Sequence, residues 1–240
     1  MKAIVIVIVC AFMISASIQI KAQSKAGTKP ASVTEFTSAQ GEYIPPAGSG
    51  NTGAPIKYPG VENEVYVGSD WPAGIIVLRN GSTIDNYYLR YNILEDQMQF
   101  ISGKDTLAFA SPKELNTITF GGHTFIYEAF QCENTIRKGY FELIEPGKNK
   151  LLLKRVVTAE LDPVSVTPGV DSRKYFIDEC YFISKPGQPA SKLACNRKSA
   201  LAVLHDHSAE IEEYLRITGN KVKTPEDLKK LVIYYNSLDE

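Results

Sequence analysis

Four kinds of side chain in this sequence could carry chemistry: histidine, carboxylate, tyrosine and cysteine. The histidines are His123, His205 and His207. His205-Asp206-His207 has the composition of a metal site, but an i, i+2 spacing sends two ligands to different sides of a helix. No third ligand stands at helpful spacing, so the reading assigns no metal and no cofactor. Among the carboxylates, Glu142, Glu145, Asp178 and Glu179 could supply an acid/base pair for glycoside hydrolysis, which needs two facing carboxyl groups across a cleft. Charged residues on strands are more often the solvated face, and that is how they are read. Tyr87, Tyr88, Tyr91, Tyr127, Tyr140, Tyr175 and Tyr181 could stack on sugars or peptides, although Tyr also fits the pleat of a sheet. No Ser stands in a Gly-x-Ser-x-Gly elbow, and there is no Walker-type loop or dinucleotide fingerprint.

These residues are positioned by strands. Tyr87 to Ile93, a turn at Glu95-Asp96, and Met98 to Phe100 alternate apolar and polar with period 2, which predicts a half-buried hairpin. A two-residue turn there would place Ile93 opposite Met98 and Tyr91 opposite Phe100. Asn80-Gly81 is a strong hairpin turn, since both positions tolerate positive φ. A second pair centres on Gly122-His123, with Phe120 opposite Phe125 and Ile118 opposite Tyr127. A third joins Tyr140–Ile144 to Lys150–Val157, with Phe141 meeting Leu153 and Leu143 meeting Leu151. Glu64–Val67 and Thr106–Ala110 read as further short strands, Thr158–Arg173 as a connector, and Lys174–Ile183 as a return to strand. Trp71, the only tryptophan, reads as a plug at the end of the core. The fold class is therefore mainly β: an antiparallel meander forming a sandwich or a partly closed barrel. A C-terminal pair or trio of short helices follows it.

Those helices occupy 196–240. Asn196 and Ser208 can cap the first two, and Gly219-Asn220 ends the second in the left-handed way. Thr224-Pro225-Glu226-Asp227 opens the last, with a capping hydroxyl, Pro at the first helical position and acids in the first turn. Leu228, Leu231, Val232 and Tyr235 form its apolar stripe, which packs on the sheet.

The ends of the chain speak to its compartment. Met1-Lys2, the apolar run Ala3–Ile20 and the small residue Ala22 have the layout of a secretory signal, so 1–22 reads as a signal peptide and the mature chain starts near Gln23. Residues 23–60, rich in Pro, Gly and Ser, read as a flexible tether, with 61–195 as the β domain. The net charge of −1 lacks the basic face of a nucleic-acid binder. After cleavage, no stretch is long and apolar enough to span a membrane as a helix.

Export leaves Cys132, Cys180 and Cys195 in an oxidising compartment, where pairs form and persist. A hairpin centred on Pro186–Pro189 sets Cys180 opposite Cys195, within the Cα separation a bridge accepts. The expectation is a Cys180–Cys195 disulfide that fixes the hairpin leading into the helices.

The signal ending in Lys21-Ala22-Gln23, the Leu89–Ile93 and Met98–Phe100 hairpin, Gly139–Leu143 with Leu152–Arg155, and the ending Asp227-Leu228 and Tyr234–Asn236 together resemble exported proteins of unassigned function common in Bacteroidota. That resemblance implies export from a Gram-negative cell and a β-rich body, and it transfers no catalytic motif. The expected function is a non-enzymatic exported protein, periplasmic, outer-membrane-associated or extracellular, that binds or scaffolds an envelope protein or glycan. The alternative is a secreted hydrolase with an unrecognised acidic pair.

Overall fold

The computed structural model describes residues 41–44, 65–161 and 173–238. The signal peptide at 1–22, and all of the 23–60 tether except 41–44, lie outside the described residues. The strands are β1 (Gly41–Ile44), β2 (Tyr66–Val67), β3 (Ala73–Leu78), β4 (Thr83–Asn92), β5 (Gln97–Ser102), β6 (Asp105–Phe109), β7 (Leu115–Phe120), β8 (His123–Cys132), β9 (Thr135–Glu145), β10 (Lys150–Leu161), β11 (Arg173–Ser184) and β12 (Ser191–Lys192). The helices are α1 (Arg197–Val203), α2 (Ser208–Thr218) and α3 (Pro225–Ser237).

All strands join one twelve-stranded antiparallel sheet, in the order β1-β6-β5-β4-β3-β7-β8-β9-β10-β11-β12, with β2 on β4. The mainly β meander with short C-terminal helices is thus the fold. The single sheet is not closed, and Tyr91 of β4 packs against Phe125 of β8 and Tyr140 of β9. A parallel bridge between Phe130 and Ala190 brings the loop before β12 back onto β8, so the second half bends round on itself without a closed ladder.

Alternation decides what each face buries. Tyr87, Leu89, Tyr91, Met98, Phe100, Phe120, Phe125 and Tyr140 form one core in the first half of the sheet. On β8–β11 the opposite parity, Ile126, Phe130, Phe141, Leu152 and Phe182, lines a second core inside the curl. A third joins Leu151 and Ile183 of the sheet to Ile211, Leu215, Leu228, Leu231, Val232 and Tyr235 of the helices. Most helix ends follow their expected caps, but Ser208 is the first residue of α2 and not its cap, and no side chain caps that end. Asn196 Oδ1 accepts the Ser199 N–H at 2.8 Å, Thr224 Oγ1 accepts the Asp227 N–H at 3.1 Å, and Gly219 is left-handed at φ 66°.

Two registers differ from the sequence reading by two residues. Tyr91 lies opposite Met98 and Leu89 opposite Phe100, because the turn takes four residues, not two. Asn92 Oδ1 accepts the N–H groups of Leu94 and Glu95 at 3.1 and 3.2 Å, and Asp96 adopts φ 51°. Likewise Ile118 faces Phe125 and Phe120 faces His123, since Gly121 and Gly122, both at positive φ, form the turn. Slips of two keep every side chain on its expected face.

Two others differ by one, and those change faces. In β9–β10 a bulge between Leu151 and Leu152 sets Leu143 opposite Leu152 and Glu142 opposite Leu153, so Phe141 and Leu153 point to opposite sides. In β11–β12, Phe182 pairs with Lys192 and Ile183 with Ser191. Continuing that register brings Ala194, not Cys195, level with Cys180. Cys180 packs with the core inside the curl and Cys195 with the helical core. Cys132, Cys180 and Cys195 stand as free thiols in this structure. Two expectations are corrected. Residues 158–161 and 173 belong to the β10–β11 ladder, not to a connector, and Gly41–Ile44, placed in the tether, pairs with β6.

Candidate functional site

The polar residues converge where β9 and β10 part. Their ladder is registered only from Glu142–Leu153 to Glu145–Leu151. Beyond it β9 stays on β8, β10 stays on β11, and a fork opens between them. The β4–β5 turn plugs the root of this fork with Asp96. Asp96 Oδ1 accepts the Tyr140 N–H at 3.1 Å and the Tyr91 hydroxyl at 2.7 Å. Its Oδ2 takes Lys154 Nζ at 2.8 Å, and the same ammonium donates to the Tyr140 carbonyl at 3.2 Å. Both main-chain groups of Tyr140 point into the fork, where β10 would have met them, and an ion pair satisfies both. The side chains thus stand in for one missing rung of a ladder, as buried main-chain groups require.

Lys154 is 8% exposed, and its ammonium lies over the rings of Phe141 and Phe130 at 5.0 and 5.4 Å. Such burial is tolerated only because the charge is paired and hydrogen-bonded. Gly139 permits it, since a methyl there would overlap Asp96 Oδ2 and come within 2.7 Å of Lys154 Nζ. Burial raises the hydroxyls of Tyr91 and Tyr140 well above the ordinary phenol value, with the Asp96 charge adding to it. The Tyr140 hydroxyl is buried, with no hydrogen-bond partner among the described residues.

A row of charge crosses the sheet beside the fork. His123 Nδ1 lies 2.7 Å from Glu142 Oε1. Arg155 donates to Glu142 Oε2 at 2.6 Å, and its Nε lies 3.4 Å from Glu179 Oε1. Glu179 in turn accepts the Tyr181 hydroxyl at 3.2 Å. Burial, then the charge and hydrogen bond of Glu179, push Tyr181 up to about 12.

Of the four carboxylates singled out in the sequence, Glu142 and Glu179 are therefore brought together, but with one guanidinium between them. Glu145 pairs with Lys229 at 3.2 Å, and Asp178 accepts Thr158 Oγ1 at 3.0 Å. His205 and His207 sit in a 3₁₀ turn between α1 and α2. Asp206 between them takes Lys185 at 3.0 Å and the Tyr235 hydroxyl at 2.5 Å, and no group of metal-ligating side chains forms among the described residues. Sequence reasoning missed Asp96 and Lys154. One signal was present: Lys154 shares the parity of Leu152, so a lysine had to lie on a buried face.

A second feature lies on the outward face of β3 and β4. The Arg90 guanidinium is held between two rings, 3.9 Å from the centroid of Tyr66 and 4.1 Å from that of Trp71. Its Nε donates to Gln99 at 2.8 Å. Trp71 is thus not a plug in the core but one side of a cation–π sandwich, with its own backbone at φ 55°. Two residues along β4, on the same face, Tyr88 is 54% exposed, and Ile75 on β3 is 47% exposed. Of the seven tyrosines, Tyr87, Tyr91 and Tyr140 are core, and Tyr88 alone is strongly exposed.

Comparison with family models, with curated proteins and with solved structures finds no match.

Proposed function

We propose that this is an exported, non-enzymatic β-rich protein that binds or scaffolds an envelope protein or glycan, and that it does so through the outward face carrying Tyr66, Arg90, Trp71, Tyr88 and Ile75. The observation that carries the reading is the Tyr66–Arg90–Trp71 sandwich. It fixes two aromatic planes and a cation beside an exposed Tyr and Ile, the residue types that dominate binding hot spots and stack on sugars. Export rests on the layout of residues 1–22, and no helix among the described residues is long and apolar enough to cross a membrane. The hydrolase alternative draws no support from Glu142 and Glu179, because a glycosidic oxygen or water would first have to displace Arg155 from between them.

The test uses the mature protein as bait for envelope extract, and then a panel of glycans, with the fluorescence of Trp71 as reporter at this face. A partner held by the wild type and lost in Tyr88→Ser and Arg90→Gln is the expected result. A partner retained by both variants, or glycan hydrolysis abolished by Glu142→Gln, would overturn the proposal.

A further inference from the structure

We infer that the open edge of β9 in the fork accepts an extended acidic peptide as an added strand. The N–H and C=O of Tyr140 both face the β10 side, and in an antiparallel strand that direction recurs at every second residue. Glu142 is the last rung paired with β10, and Tyr140 is served by Asp96 and Lys154. Lys138 and Ile136 are the next two, and their main-chain groups meet no partner among the described residues. Across the fork, β10 also has no strand partner on this side beyond Leu153 among the described residues. The ladder is therefore interrupted, then mimicked for one rung, then left unmade.

Unpaired edges are templates for strand addition, and proteins usually blunt them. This one is flanked by Arg137 and Lys138, both exposed and without an ion-pair partner among the described residues, and by Ile136 at 62% exposure. At the root, Lys154 and Arg155 are already offset by Asp96, Glu142 and Glu179. The uncompensated charge on the edge is positive. An incoming strand with carboxylates beside Arg137 and Lys138 and an apolar residue beside Ile136 would pair charge, cover the isoleucine and complete both rungs.

The inference concerns a surface distinct from the aromatic face, so either can fail alone. The probe is a short peptide that repeats glutamate-glutamate-valine, which sets carboxylates opposite both Arg137 and Lys138 and valine opposite Ile136, added to the full mature chain. Amide hydrogen exchange at Ile136 and Lys138 should slow on binding. Arg137→Glu combined with Lys138→Glu should weaken the peptide at least about tenfold, the scale of a few rim charge pairs. The same peptide with lysine in place of glutamate, or the acidic peptide N-methylated along one edge, should not bind. Three results would overturn the inference. The amides could be unaffected by the acidic peptide, or already protected in the free protein because its own chain or a second copy fills the edge. Equally, the N-methylated peptide could bind as well as its parent, which would mean that charge alone is responsible.

Discussion

Gly139→Ala tests the wedge at the root of the fork directly. The added methyl would overlap Asp96 Oδ2 and lie 2.7 Å from Lys154 Nζ. Both are the ends of side chains, so the ion pair would give way before the backbone. Moving the carboxylate also disturbs the Tyr91 hydroxyl and the Tyr140 N–H that it accepts at 2.7 and 3.1 Å. Overpacking of this kind costs about 1–3 kcal/mol, and a main-chain group left without its partner about 1–3 kcal/mol. The Asp96 side chain is 32% exposed, so water can replace part of what is lost, and the sum falls near 2 kcal/mol, roughly. At about 2–4 °C per kcal/mol for a chain of this size, Tm should drop by about 4–8 °C. Urea unfolding of Gly139→Ala alone, of Asp96→Ala alone, and of the double variant supplies the cycle. With Asp96 shortened, Lys154 loses the carboxylate that holds its ammonium in place and can swing clear of the methyl, so the second substitution should add less than about 0.5 kcal/mol. Equal costs in both backgrounds would refute the wedge, because the loss would then come from the strand itself.

Three further outcomes follow from the same geometry. Burial raises Tyr91 and Tyr140 above the ordinary 10.0, so their contribution is complete below that unfolded-state value and is lost as pH rises past it towards the folded-state values. Stability should fall above about pH 10, with both phenols titrating in ultraviolet absorbance only on unfolding; ionisation of Tyr91 while the fold persists would contradict this. For Asp206, burial pushes the carboxyl up, but the Tyr235 and Lys185 hydrogen bonds and the Lys185 charge outweigh it and hold it below 3.8. Its contribution is present above that value and lost as pH falls, so Asp206→Asn and the wild type should converge in Tm under acid; a gap that stays constant from neutral pH to about pH 2 would sink the assignment. Peptide mapping without reduction should recover Cys132, Cys180 and Cys195 alkylated, with Cys195 slowest, because burial and then Asp227 raise its thiol. A Cys180–Cys195 link would show that the two do not lie on opposite faces.

How much could be read from the sequence depends on how local the cause is. The helix caps at Asn196, Thr224 and Gly219 lie within four residues of what they satisfy, and all were legible. Alternation was legible too, and it survived wrong turns: with Tyr91 opposite Met98 instead of Phe100, all three side chains remain in the same core. It did not survive the bulge at Leu151–Leu152 or the one-residue difference at Cys180. Nothing in Leu151-Leu152-Leu153 marks where an extra residue enters, and period 2 converts that single residue into the opposite face.

The fork lies beyond either kind of signal. Asp96 is 44 residues from Tyr140 and 58 from Lys154, and in the sequence it is only an acid in a turn. What selects it is the main chain of another strand. Once β9 and β10 part, the N–H and C=O of Tyr140, a residue only 3% exposed, lose their strand partner, and the cost of leaving both unmade exceeds what one apolar contact returns. An acceptor and a donor must be supplied together, and an aspartate with a lysine supplies both while cancelling its own charge. A glycine at 139 is then the residue that leaves them room. On this account the polar cluster needs no catalytic explanation: its atoms are committed to completing a ladder. The proposed strand addition lies one rung further out, at Lys138 and Ile136, whose main-chain groups meet no partner among the described residues.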